Sequence, residues 1–183
     1  MTLRCHRSRV TICAESFPVP ERPVVCDTTV LLYLGRIGRI DLLPSLFNPI
    51  RVPGSVVLEL DMGRLLRRDT VDPRYLDWAT LVSVSQAMID SLPPNRLGRG
   101  EQEVIAHARA HQGVVAGLDD LRARQLAESL GLTVAGTLGL LLRAKRAGKV
   151  PAVRPLVDAV VAQGFHVHPG LYRDILELAG EST

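Results

Sequence analysis

Aromatic side chains make up only 4% of the 183 residues, which excludes a core built on ring packing and leaves Leu, Val, Ile and Ala to form it. Cysteine is equally sparse. Cys5, Cys13 and Cys26 are odd in number and show no C-x-x-C spacing, so neither a disulfide scaffold nor a zinc finger is encoded. No apolar run approaches the ~18 residues of a membrane span. The opening MTLRCHRSRVTICAESF lacks the continuous apolar stretch of a signal peptide. No Gly-rich loop of the Walker or Rossmann kind is present, which argues against a nucleotide cofactor. Charge of one sign is missing too. Lys+Arg 22 against Asp+Glu 19 leaves +3, a balance that permits nucleic-acid binding without arguing for it. The expectation is a soluble, cytoplasmic protein with reduced thiols.

What is present is ordinary globular material, 46% apolar and 22% charged, in a chain long enough for one domain that needs no staple. Residues 1–22 show no helical or strand period and carry Pro18 and Pro20, so they read as an extension outside the domain. Residues 23–183 read as the domain, closed by a helical C-terminal annex. Short apolar runs predict strands at Val24–Cys26, Ile50–Val52, Leu81–Val84, Gly113–Leu118 and Leu132–Val134. Helical spacing lies between them, as in Val104, Ile105 and Ala108 behind Glu101, or Ala123, Leu126, Ala127 and Leu130. Helices then follow over 137–147, 151–163 and from Leu171 to Leu178. The alternation predicts a three-layer α/β/α domain with a central, mostly parallel sheet of about five strands, the first strand central. The amphipathic annex, around Leu156–Val160 and Leu171–Leu178, suggests surfaces that pack on the domain or on a second protomer.

Acidic residues stand where a packed domain should not want them. Asp27 ends the first strand, Asp119 and Asp120 end the fourth, Glu101 shares the apolar stripe of its helix, and Glu59 sits mid-helix. In an open parallel sheet the carboxyl ends of the strands are where ligands bind. A cluster of carboxylates there suits a hard divalent cation, Mg²⁺ or Mn²⁺. Each residue also has a plainer reading. Asp27, Asp119 and Asp120 precede helices, where aspartate is an ordinary cap. Glu101 favours a helix N-terminus, and Glu59 alone suits a solvated face.

The strings that hold these acids carry a family resemblance. Val25-Cys26-Asp27-Thr28-Thr29-Val30-Leu31-Leu32 resembles the opening of a PIN domain, as does Val52-Pro53-x-x-Val56-x-x-Glu59. Leu97-Gly98-Arg99-Gly100-Glu101-x-Glu103-x-Ile105-Ala106 is similar to its third acidic segment, and Leu118-Asp119-Asp120-x-x-Ala123-Arg124 to its fourth. Gly136-Thr137-Leu138-Gly139-Leu140-Leu141 resembles a prokaryotic, VapC-like subgroup with a longer helical end. The likeness covers residues 23–180, nearly all but the extension.

The resemblance implies metal-dependent hydrolysis of RNA phosphodiester bonds, with Asp27, Glu59, Glu101 and Asp119 as the catalytic acids. Asp27, Glu101 and Asp119 would hold Mg²⁺ or Mn²⁺ with Glu59 at the rim, the Thr29 hydroxyl would support Asp27, and Asp120 can stand in for Asp119. It further implies the toxin of a toxin–antitoxin pair, an antitoxin protein as partner, and a homodimer. Arg122, Arg124 and Lys145 are candidates for an RNA groove; a solvated helix face is the alternative. An inactive PIN-like module that binds RNA or a protein is the rival reading. An aspartate-based phosphotransferase is set aside, because Asp27-Thr28-Thr29 lacks the D-x-D pattern. His107 and His111, at i and i+4, read as a surface-helix pair, since no Glu completes H-E-x-x-H.

Overall fold

The structure, a computed structural model, describes residues 22–66 and 70–181. The extension expected over residues 1–22 therefore lies outside the described residues, apart from Arg22. The chain runs β1 (Val24–Cys26), α1 (Thr28–Arg36), α2 (Leu42–Leu46), β2 (Ile50–Pro53) and α3 (Gly54–Leu66). It continues through β3 (Ala79–Val82), α4 (Gln86–Asp90), α5 (Arg99–Ala110), β4 (Val115–Gly117), α6 (Leu121–Ser129) and β5 (Val134–Ala135). It ends with α7 (Thr137–Arg146), α8 (Arg154–Ala162) and α9 (Pro169–Leu178).

All five strands are parallel, in the order β3-β2-β1-β4-β5. The first strand is central, as expected. Every residue of β1 and β4 is buried, the signature of parallel strands covered on both faces, which read as continuous apolar runs rather than alternating ones. Helices α1, α2 and α7 pack together, while α5 lies along β1, β2 and β4 with α4 and α6 beside it. Right-handed crossovers put these two groups on opposite faces of the sheet. The three-layer α/β/α architecture is thus confirmed.

The outer strands differ from expectation in their bounds. The third runs Ala79–Val82 rather than Leu81–Val84, because its register on β2 pairs Ile50 with Ala79 and Pro53 with Val82. The fifth is only Val134–Ala135. Pairing with a neighbour, which local hydrophobicity does not report, decides where an edge strand begins.

The annex packs on its own domain. Val157 and Val160 of α8 and Ile175 and Leu176 of α9 are buried. Glu181 fastens the end of α9: its carboxylate accepts from the Val153 and Arg154 amides at 2.6 and 2.8 Å, so that it caps α8. Lys145 Nζ adds an ion pair at 2.6 Å. Burial works against the charge of Glu181, but these donors outweigh it and hold its pKa down to about 2. The exposed apolar stripe is on α3 instead, at Leu58, Met62 and Leu65.

His107 corrects the surface-helix expectation. It is 4% exposed, because the face of α5 that carries it packs inward. Its ring stacks on that of His111 at 4.2 Å, and neither nitrogen of the His107 ring has a partner among the described residues. Burial first, then His111 and Arg51, press its pKa down to about 4. The folded state therefore rejects a proton that the unfolded chain takes up near pH 6.5. Stability should fall as pH drops from about 6.5 towards 4, by on the order of 2–3 kcal/mol from this group. Urea titrations across that range should show His107→Leu flattening the decline; an unchanged slope would exclude His107 as its source.

Candidate active site

The acidic residues meet at the carboxyl edge of the sheet. Asp27 follows β1 directly, and its amide donates to Gly117 O at 2.9 Å, which carries the β1–β4 ladder one step past the strand. Asp119 follows β4 two residues after Gly117. Neighbouring parallel strands thus bring these two acids side by side. Glu59 enters from α3 and Glu101 from the first turn of α5.

Asp27 occupies the cap position of α1, yet its side chain makes no capping hydrogen bond, and it is 4% exposed. The plain cap reading therefore fails for it. Burial raises its pKa, the Thr28 amide lowers it, and the negative charges of Glu59, Glu101 and Asp119 raise it further, to about 7. That coupling places all of the expected acids in one field.

The other three carboxylates are engaged by donors. Asp119 accepts the Thr137 amide at 2.7 Å on Oδ1 and the Thr137 hydroxyl at 2.6 Å on Oδ2, so the start of α7 serves as its seat. Burial still leaves its pKa raised against those bonds and the pull of Arg124. Glu101 folds back onto the Gly98 amide at 2.8 Å; burial raises its pKa against that bond, with Asp120 and Glu59 adding repulsion. Glu59 accepts from the Gly100 amide at 3.1 Å and from the Thr28 hydroxyl. Among the described residues, no three acidic, histidine or cysteine side chains close into a preformed cation cage. Like charges brought together have each turned to the nearest N–H or O–H.

Chemistry decides whether a cation fits here. The donors are carboxylate oxygens, the set that hard divalent ions prefer, and Asp27 is a buried acid with no cation paired to it among the described residues. A Mg²⁺ or Mn²⁺ ion suits that arrangement, with Asp27, Glu101 and Asp119 as the side chains able to turn towards it.

Other expected residues fall less neatly. Of the two threonines that open α1, Thr28 is the one whose hydroxyl bonds an acid, and that acid is Glu59. Asp120 is the cap of α6, its Oδ1 accepting the Arg122 and Ala123 amides at 2.8 and 2.9 Å. Arg124 is half-buried next to Asp119, and Arg122 is exposed on the same turn. Lys145 stands at the far end of α7, where its ammonium binds Ala179 O and Glu181 at 2.7 and 2.6 Å, away from the acids.

Sequence reasoning missed three contributors. Thr137 is fully buried and orients Asp119. Gly136 precedes it, and a Cβ there would lie 2.7 Å from Asp119 Oδ1 and 2.9 Å from Leu118 O. Glu103, not Glu101, is the buried glutamate of α5; it accepts the Ser55 amide and hydroxyl at 3.2 and 2.6 Å and Arg99 Nε at 2.9 Å. The Gly-Thr pair at the start of a helix is a visible signal for the first two. Glu103 has none, since its partner lies 48 residues away.

A family model described as a PIN domain matches residues 23–181. No curated protein and no solved structure shows significant similarity to the chain.

Two measurements check this site. Because the folded pKa of Asp27 lies above that of the unfolded chain, its ionisation costs stability, a cost that sets in above about pH 4 and is complete beyond about 7. Asp27→Asn should stabilise the protein at pH 8 in chelator, by on the order of 2–4 kcal/mol, and do nothing at pH 3. Equal melting temperatures at pH 8 would show that Asp27 is not buried as described. Gly136→Ala should displace Asp119, lowering stability by about 1–3 kcal/mol and Mn²⁺ affinity by about tenfold or more. Calorimetry giving parental affinity would refute the seat.

Proposed function

The chain belongs to the PIN-domain family, and from that premise we propose that it is a Mg²⁺- or Mn²⁺-dependent ribonuclease acting on single-stranded RNA. PIN domains are generally nucleases, so hydrolysis of a phosphodiester bond is the coarse activity. The observation that carries the finer reading is Asp27: a buried carboxylate without a paired cation among the described residues, in the field of Glu59, Glu101 and Asp119 at the edge where parallel sheets bind ligands.

Asp27, Glu101 and Asp119 would hold the ion, and Glu59 closes the rim beside them. Once bound, such an ion neutralises phosphate charge and lowers the pKa of water to yield a nucleophile near neutral pH. The residues supply the remaining parts. Thr137 fixes the orientation of Asp119 by donating to both of its oxygens. Thr28 and Gly100 fix Glu59 between α1 and α5. Arg124 and Arg122, on the first turn of α6, lie where a phosphate approaching Asp119 would pass, and their charge offsets the repulsion between an acidic site and an anionic chain. No helix among the described residues is long and apolar enough to cross a membrane.

The test is a panel of RNAs with Mg²⁺, Mn²⁺ and chelator, using the parent, Asp27→Ala and Asp119→Ala. Each substitution should leave the fold intact and lower kcat by about 100-fold or more. Variants that cut as fast as the parent would end the nuclease reading. A parent that binds RNA but never cuts it would replace that reading with the inactive module. Growth arrest on expression, absent with Asp27→Ala, is the outcome that a toxin role requires.

A further inference from the structure

Helices α3 and α5 exchange carboxylates. Glu59 of α3 accepts the amide of Gly100 in the first turn of α5 at 3.1 Å. Glu103 of α5 accepts the amide of Ser55 in the first turn of α3 at 3.2 Å. First-turn amides have no acceptor within their own helix, and here each helix supplies the acceptor for the other. The Ser55 hydroxyl adds a second bond to Glu103 at 2.6 Å. Arg99 neutralises Glu103 at 2.9 Å and ties it to Gln86 of α4 at 2.7 Å.

The two halves of this exchange differ in place. The Glu59 half opens on the acidic cluster, whereas Glu103 is buried with a side chain 8% exposed. Glu103 lies two residues from Glu101, roughly 200° round the helix, so it cannot share the ligand set of Glu101. Ser55 and Glu59 are four residues apart on α3, as Arg99 and Glu103 are on α5, and that spacing puts each pair on one helix face. A shift of α3 against α5 at the Ser55 end is therefore passed one turn along to Glu59 and Gly100, next to Glu101.

We propose that Glu103 is a positioning residue for the acidic site: by clasping the first turn of α3 it sets where Glu59 and Glu101 stand. The proposal rests on the nuclease reading for its kinetic consequence, but not for its structural one. A buried acid with a paired cation has a purely structural alternative, in which removing it lowers stability and nothing else.

Glu103→Ala, Glu103→Gln and Ser55→Ala separate the two. Glu103→Ala should lower kcat with Mn²⁺ about tenfold or more while KM stays within about twofold, the scale of other residues that act through a ligand's support. Glu103→Gln keeps an acceptor for Ser55 and should restore kcat to within about threefold of the parent, and Ser55→Ala should fall between them. Amide hydrogen exchange followed by NMR measures the structural effect: Glu103→Ala should speed exchange at Gly100, and not only at Ser55, by about fivefold or more. Parental kcat in Glu103→Ala, or parental exchange at Gly100, would overturn the proposal. If Glu103→Ala does not fold, Ser55→Ala must show both effects, smaller in size, or the proposal fails. A parent that cleaves no RNA would refute the nuclease reading alone, and exchange at Gly100 would still decide whether Glu103 controls the cluster.

Discussion

Negative charge gathered where β1 and β4 end is the constraint around which this edge of the molecule is organised. Parallel strands stand about 4.8 Å apart, so a carboxylate after each of two neighbours cannot be kept at a distance from the other. The fold answers by giving side-chain or backbone donors to each, with the least help at Asp27. Thr137 takes Asp119, Gly98 takes Glu101, and Thr28 with Gly100 takes Glu59. Among the described residues Asp27 is left buried with the least donor support, and its pKa is raised. Such an edge is tolerable to the folded chain yet electrostatically incomplete, which is the condition a cation relieves.

The helices that surround the site are shaped by the same need. Asp119 rests on the positive end of α7, and Asp120 on that of α6. Adjacent aspartates therefore point to different helices and do different work. One is held by Thr137 beside Asp27 and the other closes a helix end, although the sequence presents them as equivalent.

How much of this is legible in the sequence depends on the range of the interaction. Asp27 and Asp119 can be read because an acid straight after a buried, unbroken apolar run is a local signal. The central strands are legible for the same reason. Thr28 and Thr29 cannot be told apart from sequence, since one residue at a helix start swings a side chain by roughly 100°. Only the approach of α3 decides which hydroxyl meets Glu59. Glu103 and His107 look like solvated positions on a polar-rich helix, and both are buried because α5 meets α3 on one side and the sheet on another. Lys145 resembles part of a basic groove, but Glu181 claims it from 36 residues away. Long-range partners are invisible to spacing, and they decide the fate of nearly every polar residue misjudged.

The ladder between β1 and β4 also governs how this edge can diversify over generations. It continues through the Asp27 amide to Gly117 O, so the backbone spacing of Asp27 and Asp119 is hard to retune by one substitution without breaking the centre of the sheet. Glu59 and Glu101 ride on helices whose crossing is held by side chains, and side chains are what point mutations exchange. Descendants of this chain would thus inherit one pair of acids as a fixed gauge and the other as an adjustable jaw, with new substrates reached by resetting the helices.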